Sequence, residues 1–199
     1  MARSATREKL FGAAIELIAE SGLAATTVDQ IAERAGVAKG TVYYNFGSKA
    51  ALFAALLEHG VDRLAAALRD AAAGKAPLDA LEAAVAAELA FIGEHESFAR
   101  LLIAETWRSG GDWQRTARLI RERAVEVIAD VLRDAVAAGD LRADLDTGTA
   151  ASAVFGMVLT VALDWRALQP GRPLADVRTT LLDLLRGRLN GAGGSGSPR

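Results

Sequence analysis

The stretch VAKGTVYYNFGSK, residues 37–49 of this 199-residue chain, gathers side chains that are sparse elsewhere in it. It holds both tyrosines, Tyr43 and Tyr44, and two of the four lysines, Lys39 and Lys49. Lys39 is a mobile cation, a tyrosine hydroxyl or the Asn45 amide can donate to phosphate oxygens, and Thr41 can offer a methyl to thymine or a hydroxyl to a base edge. Gly40 has no side chain, so another backbone can approach closely there. These groups suit contact with nucleic acid better than covalent chemistry. The chain has no cysteine, which excludes thiol nucleophiles, disulfides and Cys-ligated metals. It shows no Ser/His/Asp, Cys/His or Glu-x-x-His arrangement, and no Gly-rich phosphate loop after a strand. His59 and His95 lie 36 positions apart with no acidic partner at ligand spacing. No metal site and no cofactor are expected.

The elements that must position these side chains follow from periodicity. Hydrophobic residues make up 51% and aromatics only 6%, with abundant Ala, which favours an all-α fold. From Ser4 to Glu20, Leu10, Phe11, Ala14, Ile15, Leu17 and Ile18 recur at three- and four-residue spacing and predict a helix stopped by Ser21-Gly22. Thr26-Thr27 supplies an N-cap for a short helix with Val28, Ile31, Ala32 and Ala35 on one face, ended by Gly36. Residues 38–46 form a third helical segment, held by Val42 and Phe46 as an i,i+4 pair. With those two turned inward, rotation of about 100° per residue leaves Lys39, Gly40, Thr41, Tyr43, Tyr44 and Asn45 on the remaining surface. Two short helices joined by a Gly-containing turn make a helix-turn-helix, whose second helix can enter the major groove. Ser48 can cap the next helix, and its N-terminus with Lys49 adds N–H groups, a positive dipole end and a cation for phosphate. Thr27 places the start of the second helix in the same role.

A long helix then runs over 48–73 with the stripe Leu52, Phe53, Leu56, Leu57, Val61, Leu64 and Leu68. Further helices are expected at 78–92, 95–108, 113–138, 147–168 and 174–189, separated by Gly93, Gly110-Gly111, GDLRADLD and QPGRP. The tail GAGGSGSPR has no periodicity and is expected to be disordered. Net charge is −2, split as +1 over residues 1–50 and −3 over the remainder, so placement and not bulk charge carries the nucleic-acid argument. The longest apolar candidate for a membrane span, Ala150 to Leu163, is too short and contains Ser152, Gly156 and Thr160. With no signal peptide at the start, a cytoplasmic protein without membrane contact is expected.

The block TTVDQIAERAGVAKGTVYYNFGSKAALFAALL resembles the DNA-binding region of the tetracycline-repressor (TetR) family of bacterial transcriptional regulators. The pattern T-T-x-x-x-I-A-x-x-A-G-V-x-x-G-T-x-Y-x-x-F-x-x-K-x-x-L-F covers roughly residues 6–57. The resemblance implies a homodimer binding an operator in double-stranded DNA, a three-helix DNA-binding unit over 1–47, and an effector-binding and dimerisation domain over 48–190. About nine helices are expected in total, with 48–73 connecting the two parts and 191–199 as tail. It implies DNA contact at Thr27, Lys39, Gly40, Thr41, Tyr43, Tyr44, Asn45 and Lys49. Two departures from the family pattern stand out. Asn45 stands where His is common, and Ala50-Ala51 follow Lys49 where an acidic residue is frequent.

In the larger domain, helices 147–168 and 174–189 carry more apolar surface than one neighbour should cover, a reason to expect isologous pairing. The resemblance likewise implies that this pair meets its symmetry mate as a four-helix bundle. An effector cavity needs apolar walls and a few polar groups. Phe91, Phe98, Trp107 and Trp113 are the aromatic candidates, with His59, His95 and Glu105 as polar ones. The leading expectation is a dimeric repressor released from a palindromic operator by a small molecule. Two alternatives stay open: a helical enzyme or small-molecule carrier with a structural N-terminal turn, and a DNA-binding regulator that responds to no effector.

Overall fold

The structure, a computed structural model, describes residues 2–106, 115 and 118–187, without the side chains of 2–4 and 104–106. Among the described residues there are nine α-helices and no strand. They are α1 (Ala2–Ser21), α2 (Val28–Arg34), α3 (Lys39–Phe46), α4 (Lys49–Ala72), α5 (Pro77–Glu94), α6 (Glu96–Thr106), α7 (Glu126–Ala137), α8 (Thr147–Leu168) and α9 (Leu174–Leu185). The tail expected to be disordered lies outside the described residues.

Local chemistry sets the helix ends of the N-terminal unit. Thr27 and Gln30 form a reciprocal capping box: Thr27 Oγ1 accepts from the Gln30 N–H (3.2 Å) and Gln30 Oε1 accepts from the Thr27 N–H (2.9 Å). Thr26, fully buried, donates its hydroxyl to the Gly22 carbonyl at 2.9 Å. Gly36 and Gly47 close α2 and α3 with φ of 68° and 76°, a region that L side chains resist. Ser48 caps α4 by accepting from the Ala51 N–H at 3.1 Å. Arg34 grips Glu20 with two bonds of 2.9 Å and reaches Glu16 at 3.3 Å, so α2 is tied to α1.

In the larger part α5 is the central helix, packed against α4, α6, α7, α8 and α9. The full α4 stripe expected from periodicity is buried. Two expectations need correction. Gly93 does not separate helices: α5 continues to Glu94 and turns at His95, while the ring of Trp165 lies 3.3 Å from where a Gly93 Cβ would stand. The single α-helix expected over 113–138 instead contains a wider π-helical turn at Arg121–Val125 before α7. This turn directs Arg123 to Asp62 of α4 (2.6 Å) and Arg121 to Ser152 of α8 (3.1 Å), and π turns commonly mark functional positions.

Helix α8 spans residues 147–168, as expected from the sequence, and so extends beyond the apolar run Ala150 to Leu163. It reaches 22 residues because Asp146 caps its start, accepting from the Thr149 N–H at 3.0 Å, and Ser152, Gly156 and Thr160 are absorbed into the helix. By length and composition it could cross a membrane, unlike the expectation from sequence, and only 33% of its most apolar stretch is buried. Its buried face is Ala151, Val154, Phe155, Val158, Ala162 and Trp165. Its other face, with Ala153, Gly156 and Thr160, is uncovered in the single chain.

Candidate nucleic-acid interface

Helix α3 is anchored on one side only. Val42 is 1% exposed, and Phe46 packs on Phe11 of α1 with ring centroids 5.6 Å apart. The Arg7 guanidinium lies over the Phe46 ring at 4.8 Å, which closes that seam. The opposite face is open. Tyr43 and Tyr44 are 45% and 77% exposed, Lys39 is exposed, and a Cβ at Gly40 would meet nothing within 4 Å. Thr41 is half-buried between the two faces.

Asn45 departs from its expected place on that surface. It is half-buried, its Nδ2 donates to the Thr41 carbonyl at 2.8 Å, and its Oδ1 is buried without a partner among the described residues. Its i−4 back-bond competes with any phosphate for the same N–H group. Lys39 is also engaged: its Nζ sits 2.7 Å from Asp29 Oδ1 and 3.0 Å from Oδ2. The hydrogen bond and charge of Asp29 raise the Lys39 pKa above its ordinary value, so the lysine stays cationic. Lys49 Nζ donates to the Ala24 carbonyl at 3.4 Å and lies 5.5 Å from the Phe53 ring, and Thr27 is exposed at the start of α2. Thr27, Lys39, Gly40, Thr41, Tyr43, Tyr44 and Lys49 therefore occupy α3 and the N-termini of α2 and α4. Asp29, which sets the state of Lys39, escaped the sequence reading because nothing in the spacing tied it to position 39.

Of the residues expected to line an effector site, Phe91, His95 and Phe98 come together. Phe91 stands edge-on to His95 at 4.4 Å and to Phe98 at 6.3 Å. Both phenyl rings are buried, while half-buried His95 meets Arg63 Nη2 at 3.3 Å. The Phe98 ring lies so close to α4 that a Cβ at Gly60 would be 2.1 Å from it. His59 is not part of this cluster. Its ring packs on Phe11 at 5.0 Å and its Nε2 lies 3.3 Å from Glu8 Oε2, placing it in the seam between α1 and α4. Trp107 and Trp113 lie outside the described residues, as does the side chain of Glu105.

One residue in this domain went unread. Glu88 of α5 has no exposed surface, and neither carboxylate oxygen has a hydrogen-bond partner among the described residues. Burial alone pushes its pKa well above the ordinary carboxyl value. The available signal was a lone acid in the apolar run AAVAAELAFI, on the same helical face as Ala84 and Ile92.

Residues 10–56 match the family model described as bacterial regulatory proteins, tetR family, and residues 74–166 match the tetracyclin repressor-like C-terminal domain. The HTH-type transcriptional regulator SrpR of Pseudomonas putida is 30% identical over 158 residues, covering 77% of this chain and 71% of that one. The HTH-type regulator YerO of Bacillus subtilis is 31% identical over 102 residues, half of this chain but only 35% of its own length. Among solved structures, the Bacillus subtilis regulator FadR in complex with stearoyl-CoA superposes with a TM-score of 0.82 at 21% identity, covering 92% of this chain and 99% of that one. The exposed third helix, the two matched domains and the SrpR relationship converge: this chain belongs to the tetR family of bacterial regulatory proteins.

Proposed function

We propose that the protein is a homodimeric repressor that binds a palindromic operator through α3 and leaves it when a small molecule binds in the domain formed by α4 to α9. As a transcriptional regulator of this family it is not an enzyme, so the enzymatic alternative falls away. The observation that carries the reading is the outward face of α3, where Tyr43 and Tyr44 are exposed, Gly40 is unobstructed and Lys39 is cationic. Tyrosine hydroxyls, Lys39, Lys49 and the helix starts at Thr27 and Ser48 supply phosphate contacts, which fix position. Base choice rests on Thr41 and on the close approach at Gly40. Uncovered faces on α8 and α9 supply the pairing surface that sets two α3 helices one DNA turn apart, about 34–36 Å.

The Asp29–Lys39 pair makes the test specific. Lys39→Ala weakens binding to all DNA sequences and flattens the salt dependence, because one fewer counterion is released. Asp29→Asn acts in the opposite sense: it frees the lysine, tightens binding by up to about fivefold and leaves sequence preference unchanged. Thr41→Ala alters preference among sites instead. Fluorescence anisotropy on labelled duplexes across a salt series measures all three. Unchanged affinity and salt slope in Lys39→Ala would remove α3 from the interface.

A further inference from the structure

Glu88 is the feature that DNA binding leaves unexplained. Acidic side chains are almost never fully buried unless paired. A carboxyl group that has lost water and gained no hydrogen bond weakens the fold, and an apolar residue of similar size would pack there without that penalty. Its place in the molecule narrows what the group is for. It lies in the central helix of the larger domain, one turn before Phe91 and Ile92 on the buried face of α5. Phe91 leads to Phe98, and Phe98 presses on α4 at Gly60, so the carboxyl group shares a helix face with the start of a buried aromatic cluster.

We propose that Glu88 is the polar anchor of the effector site and that the effector is an apolar molecule carrying one protonated amine. This rests on the reading of the larger domain as effector-binding. Three properties of the site favour a cation over a neutral or anionic ligand. Both carboxyl oxygens are unpartnered among the described residues, so an ammonium group can donate charge-assisted bonds to them once the acid has given up its proton, bonds about twice as strong as those of an alcohol. The phenyl rings of Phe91 and Phe98 offer faces that attract cations and edges that pack against an apolar body. An anionic head beside the protonated Glu88 would leave an uncompensated negative charge in a buried site, whereas an ammonium and a carboxylate together carry no net charge. Binding converts Glu88 from a buried protonated acid without a partner among the described residues to one half of an ion pair, its proton passing to the amine when that arrives neutral or to solvent when it arrives as ammonium, and that difference favours the effector-bound arrangement of α5, α6 and α4.

The test compares wild type with Glu88→Gln, which keeps shape and neutral hydrogen bonding but cannot carry charge. The probes are primary amines paired with alcohols of the same skeleton: dodecylamine with dodecanol, adamantylmethylamine with adamantylmethanol, and phenethylamine with phenethyl alcohol. Stearoyl-CoA, the ligand of the Bacillus subtilis FadR structure, serves as the anionic amphiphile, and its binding is expected not to depend on the charge of Glu88. Thermal shift and calorimetry on the full-length protein read binding, and anisotropy on a bound duplex separately reads release. At least one amine is expected to bind wild type about tenfold or more tightly than its alcohol, with that preference lost in Glu88→Gln. Glu88→Gln remains folded, which its own melting curve checks. If no amine exceeds its alcohol, or if the preference survives in Glu88→Gln, the proposal is overturned. Because DNA release is measured apart from binding, an amine that binds through Glu88 without releasing DNA counts against the repressor reading and not against the anchor.

Discussion

At the scale of single residues, the protein sets two acids to opposite uses. Asp29 is exposed and holds Lys39 in place, ready to give way to a phosphate. Glu88 is buried and holds nothing among the described residues. The second condition has a consequence for stability. The unfolded chain releases the Glu88 proton above about its ordinary value of 4.5, whereas the folded chain keeps it to a well higher pH. Native stability therefore falls as pH rises from 4.5 towards the folded pKa, because the unfolded state sheds its proton first. Glu88→Gln abolishes this linkage. Its melting temperature is expected to gain on that of wild type as pH rises from about 4.5 towards the raised folded pKa, with other titrating groups cancelling in the difference. A gap that stays constant across this range would contradict the buried, partnerless state of the side chain.

At the scale of elements, glycine shows what was legible in the sequence and what was not. Gly22, Gly36 and Gly47 end their helices with positive φ, as turn residues between periodic segments should. Gly60 and Gly93 lie inside helices, each required by an aromatic ring from a distant part of the chain, Phe98 and Trp165. Nothing local separates the two kinds, so Gly93 passes for a helix end when only its neighbours are considered. The α4 stripe was legible for the opposite reason, since periodicity alone dictates which side chains turn inward. On the same ground Val42 and Phe46 could be assigned inward. The half-buried setting of Asn45 was not legible, because its bond to the Thr41 carbonyl is a side-chain choice that helical rotation does not determine. The two inner glycines differ in a measurable way. Gly60→Ala forces a methyl to within 2.1 Å of the Phe98 ring and should destabilise the fold by about 1–3 kcal/mol. Gly93→Ala meets Trp165 at 3.3 Å, where a shift of a few tenths of an ångström relieves the contact, so a smaller loss is expected. Urea titration of both variants checks the order, and equal losses would contradict it.

At the scale of the whole molecule, the proposed pairing surface is that of α8 and α9. Leu168, Leu174 and Leu184 are 74%, 37% and 42% exposed in the single chain, and α8 also carries the small residues Ala153, Gly156 and Thr160 on its uncovered face. Small residues let two helices approach closely, and a self-complementary patch closes as a two-fold dimer. Thr160→Arg places a long charged side chain in that contact. Sedimentation velocity at micromolar concentration should show a dimer for wild type and a monomer for the variant, with unchanged helical content. A monomeric variant should also lose most of its operator affinity while keeping weak, salt-sensitive binding to any DNA, since one α3 helix reaches only one half-site. A variant that stays dimeric would move the pairing surface elsewhere.

The central claim is that α3 reads DNA in pairs set by the symmetry of a dimer. Selection of bound duplexes from a random pool by the full-length protein tests it most directly. The expected result is enrichment of an inverted repeat whose half-site centres lie about one helical turn apart, or a whole number of turns. Enrichment of an unrepeated site, or no enrichment over the starting pool, would contradict the account.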